Sequence, residues 1–290
     1  MLTNELSALI NLIEDPDEKI FSHVRSELLN YGESIIPHLE HYWEFHTHGD
    51  LFQARVEQLI HSIHFKSVYE DLDNWNKEED NDLLEGALII HRYQYPSSDL
   101  DNIRNIISKI RQDIWLELND YLTSFEKVRI FNHILFKEYG FKGNRADYTS
   151  INNSFIGEVL ENKKGNPLSL SIIYQVLANR LEVPIFGVNL PNHFVLCYLD
   201  EFGISFHTGD VDHDTGILFY IDPFSEGAII DQSEINEFLS HIDIEQQPRF
   251  FKPCSHRDMI NRMLNNLIFS FERDGKIDKV QELRMLQGVL

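Results

Sequence analysis

Only two cysteines, Cys197 and Cys254, occur in 290 residues. They lie in different segments without CxxC spacing, which excludes a disulfide framework and a zinc knuckle and fits a reducing cytoplasm. Basic residues are scarce as well. Against 47 Asp and Glu there are 25 Lys and Arg, a formal balance of -22, so the field of the chain repels phosphate backbones and anionic lipid. No nucleic-acid or membrane-surface partner is expected. There is no run of about 18 apolar residues. The stretch from Met1 to Asp17 has neither the basic head nor the cleavage site of a signal peptide, and Glu5 and Glu14 interrupt its only apolar run. A soluble, non-exported, cytoplasmic protein is expected. What the chain does have is core material: 42% of residues are hydrophobic, with 20 Phe and 11 Tyr, enough to exclude a disordered polymer.

From Leu2 to about Tyr95 apolar residues recur at three- and four-residue spacing, as in Leu6, Leu9, Ile10, Ile13 and again in Val56, Leu59, Ile60, Ile63, which predicts helices. Breaks at Asp15-Pro16-Asp17, Tyr31-Gly32-Glu33 and His48-Gly49-Asp50 predict pieces of about ten to fifteen residues. The first pair resembles a HEAT-type repeat, which buries its apolar stripe only by stacking on a neighbour. Helices are further predicted from Leu100 to Asn119 and from Ser124 to Tyr139. A loop-rich passage with Gly140, Gly143, Asn144, Asn152 and Asn153 follows, then an apolar helix from Leu168 to Leu181 with Asn166 as its cap and Pro167 at its first position, where a missing amide hydrogen costs nothing. Beyond Pro184 short runs rich in Val, Ile, Phe and Tyr predict strands at 185–190, 193–199, 202–207 and 217–222. Helical spacing returns near Ser233 and from Ser255 to Leu290. The fold class expected is α+β.

The blocks Phe141-Lys142-Gly143-Asn144, Asn153-Ser154-Phe155, Gly165-Asn166-Pro167-Leu168-Ser169-Leu170, Asn192-His193-Phe194 and Ile221-Asp222-Pro223-Phe224 resemble, in this order, the bacterial SirB-type family of transglutaminase-like proteins. Asp82 to Leu88 and Arg262 to Leu267 also resemble family segments. The resemblance implies a helical N-terminal region, a transglutaminase-like core of the papain-like superfamily and a tetratricopeptide-type helical tail. The expected domains are residues 1–95, helical and HEAT-like; 96–252, the core; and 253–290, a tail resembling a truncated tetratricopeptide array.

A papain-like site needs a nucleophile at a helix N-terminus, an imidazole on a facing strand and a carboxylate that fixes the imidazole tautomer. His193 and Asp222, at a strand start and a strand end, are candidates for the last two. The alternative is that they tie two strands together and do no chemistry. For the nucleophile, measurement back from Val183-Pro184, which resembles the Ile-Pro element of active relatives, puts the cysteine position near Pro167, which has no attacking group. Ser169 is the nearest hydroxyl; the plainer reading of Ser169 and Ser171 is as polar residues of the first helical turns. Cys197 shares a strand face with His193 but lies four residues and roughly 13 Å away, so it is expected to be a buried hydrophobe, and Cys254 a packing residue before the last helices.

Asp210, Asp212 and Asp214 alternate as in a calcium loop, yet Gly216 comes one residue late and Ile221 stands where a bidentate Glu is required, so a solvated hairpin loop is expected. His38, His41, His46, His48, His61 and His64 lack ligand spacing and an HExxH. No metal and no cofactor are expected. The leading reading is a non-catalytic or vestigial transglutaminase-like module, regulatory or protein-binding, with a protein partner. The alternative is a serine-dependent hydrolase or acyltransferase using Ser169, His193 and Asp222.

Overall fold

The computed structural model describes residues 4–45, 49–200 and 216–290. They form two units, Met1–Asn74 with Arg92–Pro96, and Trp75–His91 with Ser97–Leu290. This differs from a division at residues 95 and 252. Residues 75–91 join the larger unit because the Trp75 indole donates to the Asp82 carbonyl at 2.7 Å, and Gly86 lets that ring and Ile260 close onto its helix. Residues 253–290 join it as well, through His256 on the Asn81 carbonyl and Asn76 on the Val289 carbonyl.

The smaller unit is helical, and no strand occurs among the described residues up to 95. Helices α1 (Asn4–Asn11), α2 (Glu18–Asn30), α3 (Ile36–Phe45) and the first part of α4 (Asp50–Lys77) enclose a core of Ile10, Ile13, Phe21, Val24, Leu28, Leu39, Phe52, Val56 and Leu59. Asp17 caps α2 by accepting from the Lys19 amide at 2.8 Å, the role its place after Pro16 suggests. The guanidinium of Arg55, almost wholly buried, donates to the carbonyls of Ile13 and Asp15, contacts Glu18 at 2.7 Å and covers the Phe21 ring at 4.1 Å. It thereby satisfies orphan carbonyls in the α1–α2 turn. The 28 residues of α4 exceed the length expected, because nothing between Asp50 and Lys77 is Gly or Pro and the helix has no reason to stop.

The larger unit contains α5 (Leu83–Gln94), all but its last three residues, then α6 (Leu100–Glu117), α7 (Ser124–Asn132), which runs on into a wider π-helical stretch His133–Glu138, α8 (Ile156–Asn162), α9 (Pro167–Asn179), α10 (Gln232–His241), α11 (His256–Arg273) and α12 (Ile277–Gln287). Every residue of α9 from Pro167 to Ala178 is buried, the condition of a helix that is apolar on all sides. It lies against α6, α8 and α11 and on a sheet of β3 (Ile185–Val188), β4 (Val195–Leu199), β5 (Ile217–Asp222) and β6 (Ala228–Ile230), in that order and antiparallel throughout. Side chains alternate across a strand, so Val195 and Cys197 of β4 face a second cluster with Tyr220, Ile235, Leu239 and Phe250. The fold is α+β. Among the described residues no helix is long and apolar enough to cross a membrane.

Three details depart from expectation. Strand β4 begins at Val195, which leaves His193 on the preceding turn. Edge strand β6 was not foreseen, since three residues are too few to show alternation. Neither was the parallel pair of β1 (Lys142–Gly143) and β2 (Lys164–Gly165), two residues a side. The strand predicted at 202–207, and the carboxylates Asp210, Asp212 and Asp214 with their loop, lie outside the described residues, as do His46 and His48.

The turn from β5 to β6 is fixed to the helices through Asn132, the last residue of α7. Its amide donates to the Gly227 carbonyl at 2.8 Å, and its oxygen accepts from the Tyr174 hydroxyl of α9 at 3.1 Å. Gly227 has φ +75°, and a Cβ there would stand 2.0 Å from the Asn132 oxygen. Backbone conformation and space both demand glycine. Gly227→Ala is therefore expected to cost about 2 to 4 kcal/mol of stability, read as a lowered urea midpoint; an unchanged midpoint would show that this turn does not hold the sheet to α7 and α9.

Candidate functional site

The first turn of α9 is built by reciprocal capping. Asn166 accepts from the Ser169 amide at 2.8 Å, and Ser169 Oγ accepts from the Asn166 amide at 3.0 Å. With Pro167 at the first helical position, the orphan donors of the helix start are largely accounted for. Asn166 Nδ2 also donates to Ser154 Oγ at 2.9 Å. Behind it, Asn153 donates to the carbonyls of Asp147 and Tyr148 and accepts from Asn144 at 2.8 Å. These asparagines hold the loop 147–153 beside the helix start, which is why the passage is rich in them. Gly143 permits the approach of the next element: a Cβ there would meet the Phe224 ring at 2.6 Å.

His193 sits between the left-handed residue Asn192 (φ +59°) and β4. Its Nε2 lies 3.3 Å from Asp222 Oδ2, with both side chains mostly covered. Phe224 meets the imidazole edge-on at 6.3 Å and Phe238 tilts against it at 5.8 Å. The other Asp222 oxygen accepts from the Phe224 amide at 3.0 Å. Burial pushes the Asp222 carboxyl upward, but the hydrogen bond and charge of His193, with Ser225 and the Phe224 amide, outweigh it and hold the group below its ordinary value. Because Nε2 faces the carboxylate, Nδ1 is the imidazole nitrogen left for other chemistry. The antiparallel register of β4 and β5, Leu196 opposite Ile221, brings the two residues together.

A cavity of about 440 Å³ opens over the start of α9. Its wall includes Asn166, Pro167 and Leu168 from the helix start, Ser154, Tyr148, Asn192, His193 and Phe194, and Arg262 and Phe269 from α11. Asp222 stands behind His193 and does not line it. Ser169 does not line it either: the residue is buried and its hydroxyl is bonded to both backbone groups of Asn166. Ser171 donates to the Pro167 carbonyl at 2.7 Å. The structure thus unites His193 with Asp222 and leaves Ser169 out, because a capping hydroxyl must point back along the chain and not into the cavity. Both thiols are elsewhere. Cys197 is buried in the sheet and Cys254 partly covered, and burial pushes each up to about 12, far from the thiolate a nucleophile requires.

Ser154 and Arg262 belong to this cavity but were not singled out as site residues from sequence. Arg262 had a signal: it stands within the buried face Met259, Ile260, Met263, Leu264 of α11, where a cation needs a reason. It donates to Asn189 Oδ1 at 3.1 Å and reaches the Leu190 carbonyl at 3.4 Å. Burial lowers its affinity for the proton, opposed by Tyr148, yet a guanidinium stays charged in proteins. Among the described residues no group of three or more His, Cys, Asp or Glu is arranged to hold a metal ion.

A helix N-terminus facing a His–Asp pair, the His just before one strand and the Asp at the end of its antiparallel neighbour, is the geometry of a papain-like or transglutaminase-like centre. A family model described as transglutaminase-like superfamily matches residues 101–265, more than half of the chain, and the chain belongs to that superfamily. Among its relatives, a UPF0162 protein of Xylella fastidiosa (strain 9a5c) is 28% identical over 235 residues, covering 77% of this chain and 75% of that protein. F-box only protein 21 of Mus musculus is 26% identical over 265 residues, covering 83% of this chain and 40% of that protein. A UPF0162 protein of Vibrio cholerae is 30% identical over 115 residues, 40% of this chain and 43% of its own length. No solved structure matches.

The lowered Asp222 carboxyl gives a pH test. A depressed folded-state value means stability that is present above the unfolded value of about 3.9 and lost as pH falls through the folded one. Asp222→Asn keeps an acceptor but cannot titrate, so between pH 5 and about 3 the variant is expected to lose less stability than the parent in urea titrations. Parallel losses would show that the pair does not hold the carboxylate ionised.

Proposed function

We propose that the chain is a transglutaminase-like module that has lost acyl-transfer turnover and acts as a cytoplasmic regulatory or protein-binding protein. One observation carries the reading: the first residue of α9, which lines the same cavity as His193, is Pro167, which has no nucleophilic atom. A module reading draws support from F-box only protein 21, of which this region is 40%, so related sequence is found inside a longer protein. The assignment to the SirB-type branch, with α11 and α12 as a tetratricopeptide-like tail, belongs to the same proposal. The rival serine hydrolase has lost its main support, since the Ser169 hydroxyl already serves the cap and is shut away from the cavity.

The proposal makes the site a centre without its nucleophile, which is testable by supplying one. Wild type, Ser169→Ala and His193→Ala are expected to show no acyl transfer from a glutamine donor and no ester hydrolysis above background. In Pro167→Cys, a thiol at the helix start beside the imidazole is expected to be alkylated by iodoacetamide at pH 6.5 about tenfold or more faster than Cys197 and Cys254, and His193→Ala in that background should slow it. Robust wild-type turnover abolished by both single substitutions, with circular dichroism unchanged, would overturn the proposal in favour of the hydrolase.

A further inference from the structure

The larger unit has a second cavity, of about 450 Å³, toward the other end of α9. Gln175, Val176, Asn179 and Arg180 form one wall. This is a single face of the helix, since residues three and four apart are neighbours. Residues 79–83 and 254–256 form the opposite side. Gln175 lies eight residues from Pro167, about 12 Å along the helix, so this cavity is distinct from the one at His193.

The Gln175 carboxamide is fully buried, and neither its oxygen nor its nitrogen has a hydrogen-bond partner among the described residues. Exchanging the two atoms changes nothing, because both lack one. Native proteins rarely leave a donor and an acceptor unmet on one buried group. The surrounding polar groups do not turn toward it. Asn179 bonds to His256 Nε2 at 3.3 Å, and His256 Nδ1 meets the Asn81 carbonyl at 2.7 Å. Asp82 caps α5 through the Glu85 amide, and its carbonyl takes the Trp75 indole. A ligand satisfying Gln175 must carry a donor and an acceptor side by side, as an amide does. The rim decides the charge of that ligand. Glu79, Asp80 and Asp82 are exposed against the single guanidinium of Arg180, in a chain of net charge -22, which disfavours carboxylate and phosphate ligands and favours cations.

We propose that this cavity binds a basic peptide segment of a partner protein, the peptide N–H and C=O pairing with the Gln175 carboxamide and a Lys or Arg side chain lying against Glu79, Asp80 and Asp82. The site rests on its own cavity and its own unmet amide, so it stands or falls independently of the lost-turnover reading above. A volume of this size holds two or three residues, within the usual range of ligand clefts. The wall fixed by the Asn179, His256 and Asn81 bonds is preformed, which spares the ligand the cost of ordering it.

The experiment uses the full chain labelled with nitrogen-15 and two probes, acetyl-Gly-Lys-Gly-Lys-Gly-amide and its counterpart with Glu in place of Lys. The Gln175 side-chain amide resonances are assigned by their loss in Gln175→Leu. Saturable movement of these resonances is expected with the lysine peptide, and about tenfold weaker binding with the glutamate peptide. Neutralising the exposed rim by Glu79→Gln with Asp80→Asn should weaken the lysine peptide about fivefold. Binding, followed on the backbone amides of Asn179 and Arg180, should be lost in Gln175→Leu. If that variant fails to fold, the rim variant still decides. Resonances unmoved by either peptide, as when a water alone satisfies Gln175, would overturn the proposal, and so would equal binding of the two peptides or binding indifferent to the rim.

Discussion

The reciprocal cap between Asn166 and Ser169 is the constraint on which the site depends. It fixes where α9 begins, and α9 is the helix that the rest of the larger unit surrounds. Asn166 does this while also holding Ser154, and it receives its position from the Asn144 and Asn153 ladder. A cap of this kind contributes on the order of 1 kcal/mol, a small part of the folding free energy. Its importance is positional, because it points the helix axis at the turn that carries His193.

The cap also settles what the first helical turn cannot do. A serine three residues after a cap asparagine is recruited to the backbone, since its hydroxyl accepts from a buried amide at 3.0 Å whose other acceptor, the Asn153 carbonyl, stands farther off at 3.4 Å. The same hydroxyl cannot face an imidazole across the cavity. Pro167 completes the picture: it suits the first helical position and removes an amide there, and it brings no atom that attacks an acyl group. The His193 and Asp222 pair is nevertheless well supported, with Phe224 and Phe238 against the ring and a backbone amide on the second carboxylate oxygen. The helix start is thus organised for stability, and the turn before β4 and the end of β5 for an imidazole.

The remaining polar groups of the larger unit divide by whether they are paired. Asn132 and Arg262 are half-buried and each joins two segments distant in sequence, and the buried Asn153 closes its own loop onto the carbonyls of Asp147 and Tyr148, so their cost of desolvation is met by bonds that hold the fold. Gln175 is the contrast. It sits on the most buried helix of the unit, with neither amide atom bonded, beside a cavity whose rim is acidic. A helix that organises one cavity at its start therefore borders a second, chemically different one eight residues on.

The spacing of apolar residues alone determined that helices fill the N-terminal part and that strands cluster after Pro184, because periods of 3.6 and 2 are properties of a single element. Sequence also determined the cap at Asn166 and the absence of a thiol at the start of α9, both of which are local. It marked His193 and Asp222 as candidates by the residues around them. Only the tertiary structure decided that Asn132 locks Gly227, that Arg262 reaches the cavity, that residues 75–91 pack with the larger unit, and that the Ser169 hydroxyl turns away from His193. Each of these is a contact between positions far apart in sequence or a choice of side-chain direction, and neither leaves a periodic trace. Whether an asparagine, an arginine or a serine is structural or chemical depends on which partner it meets, and that partner exists only once the chain has folded.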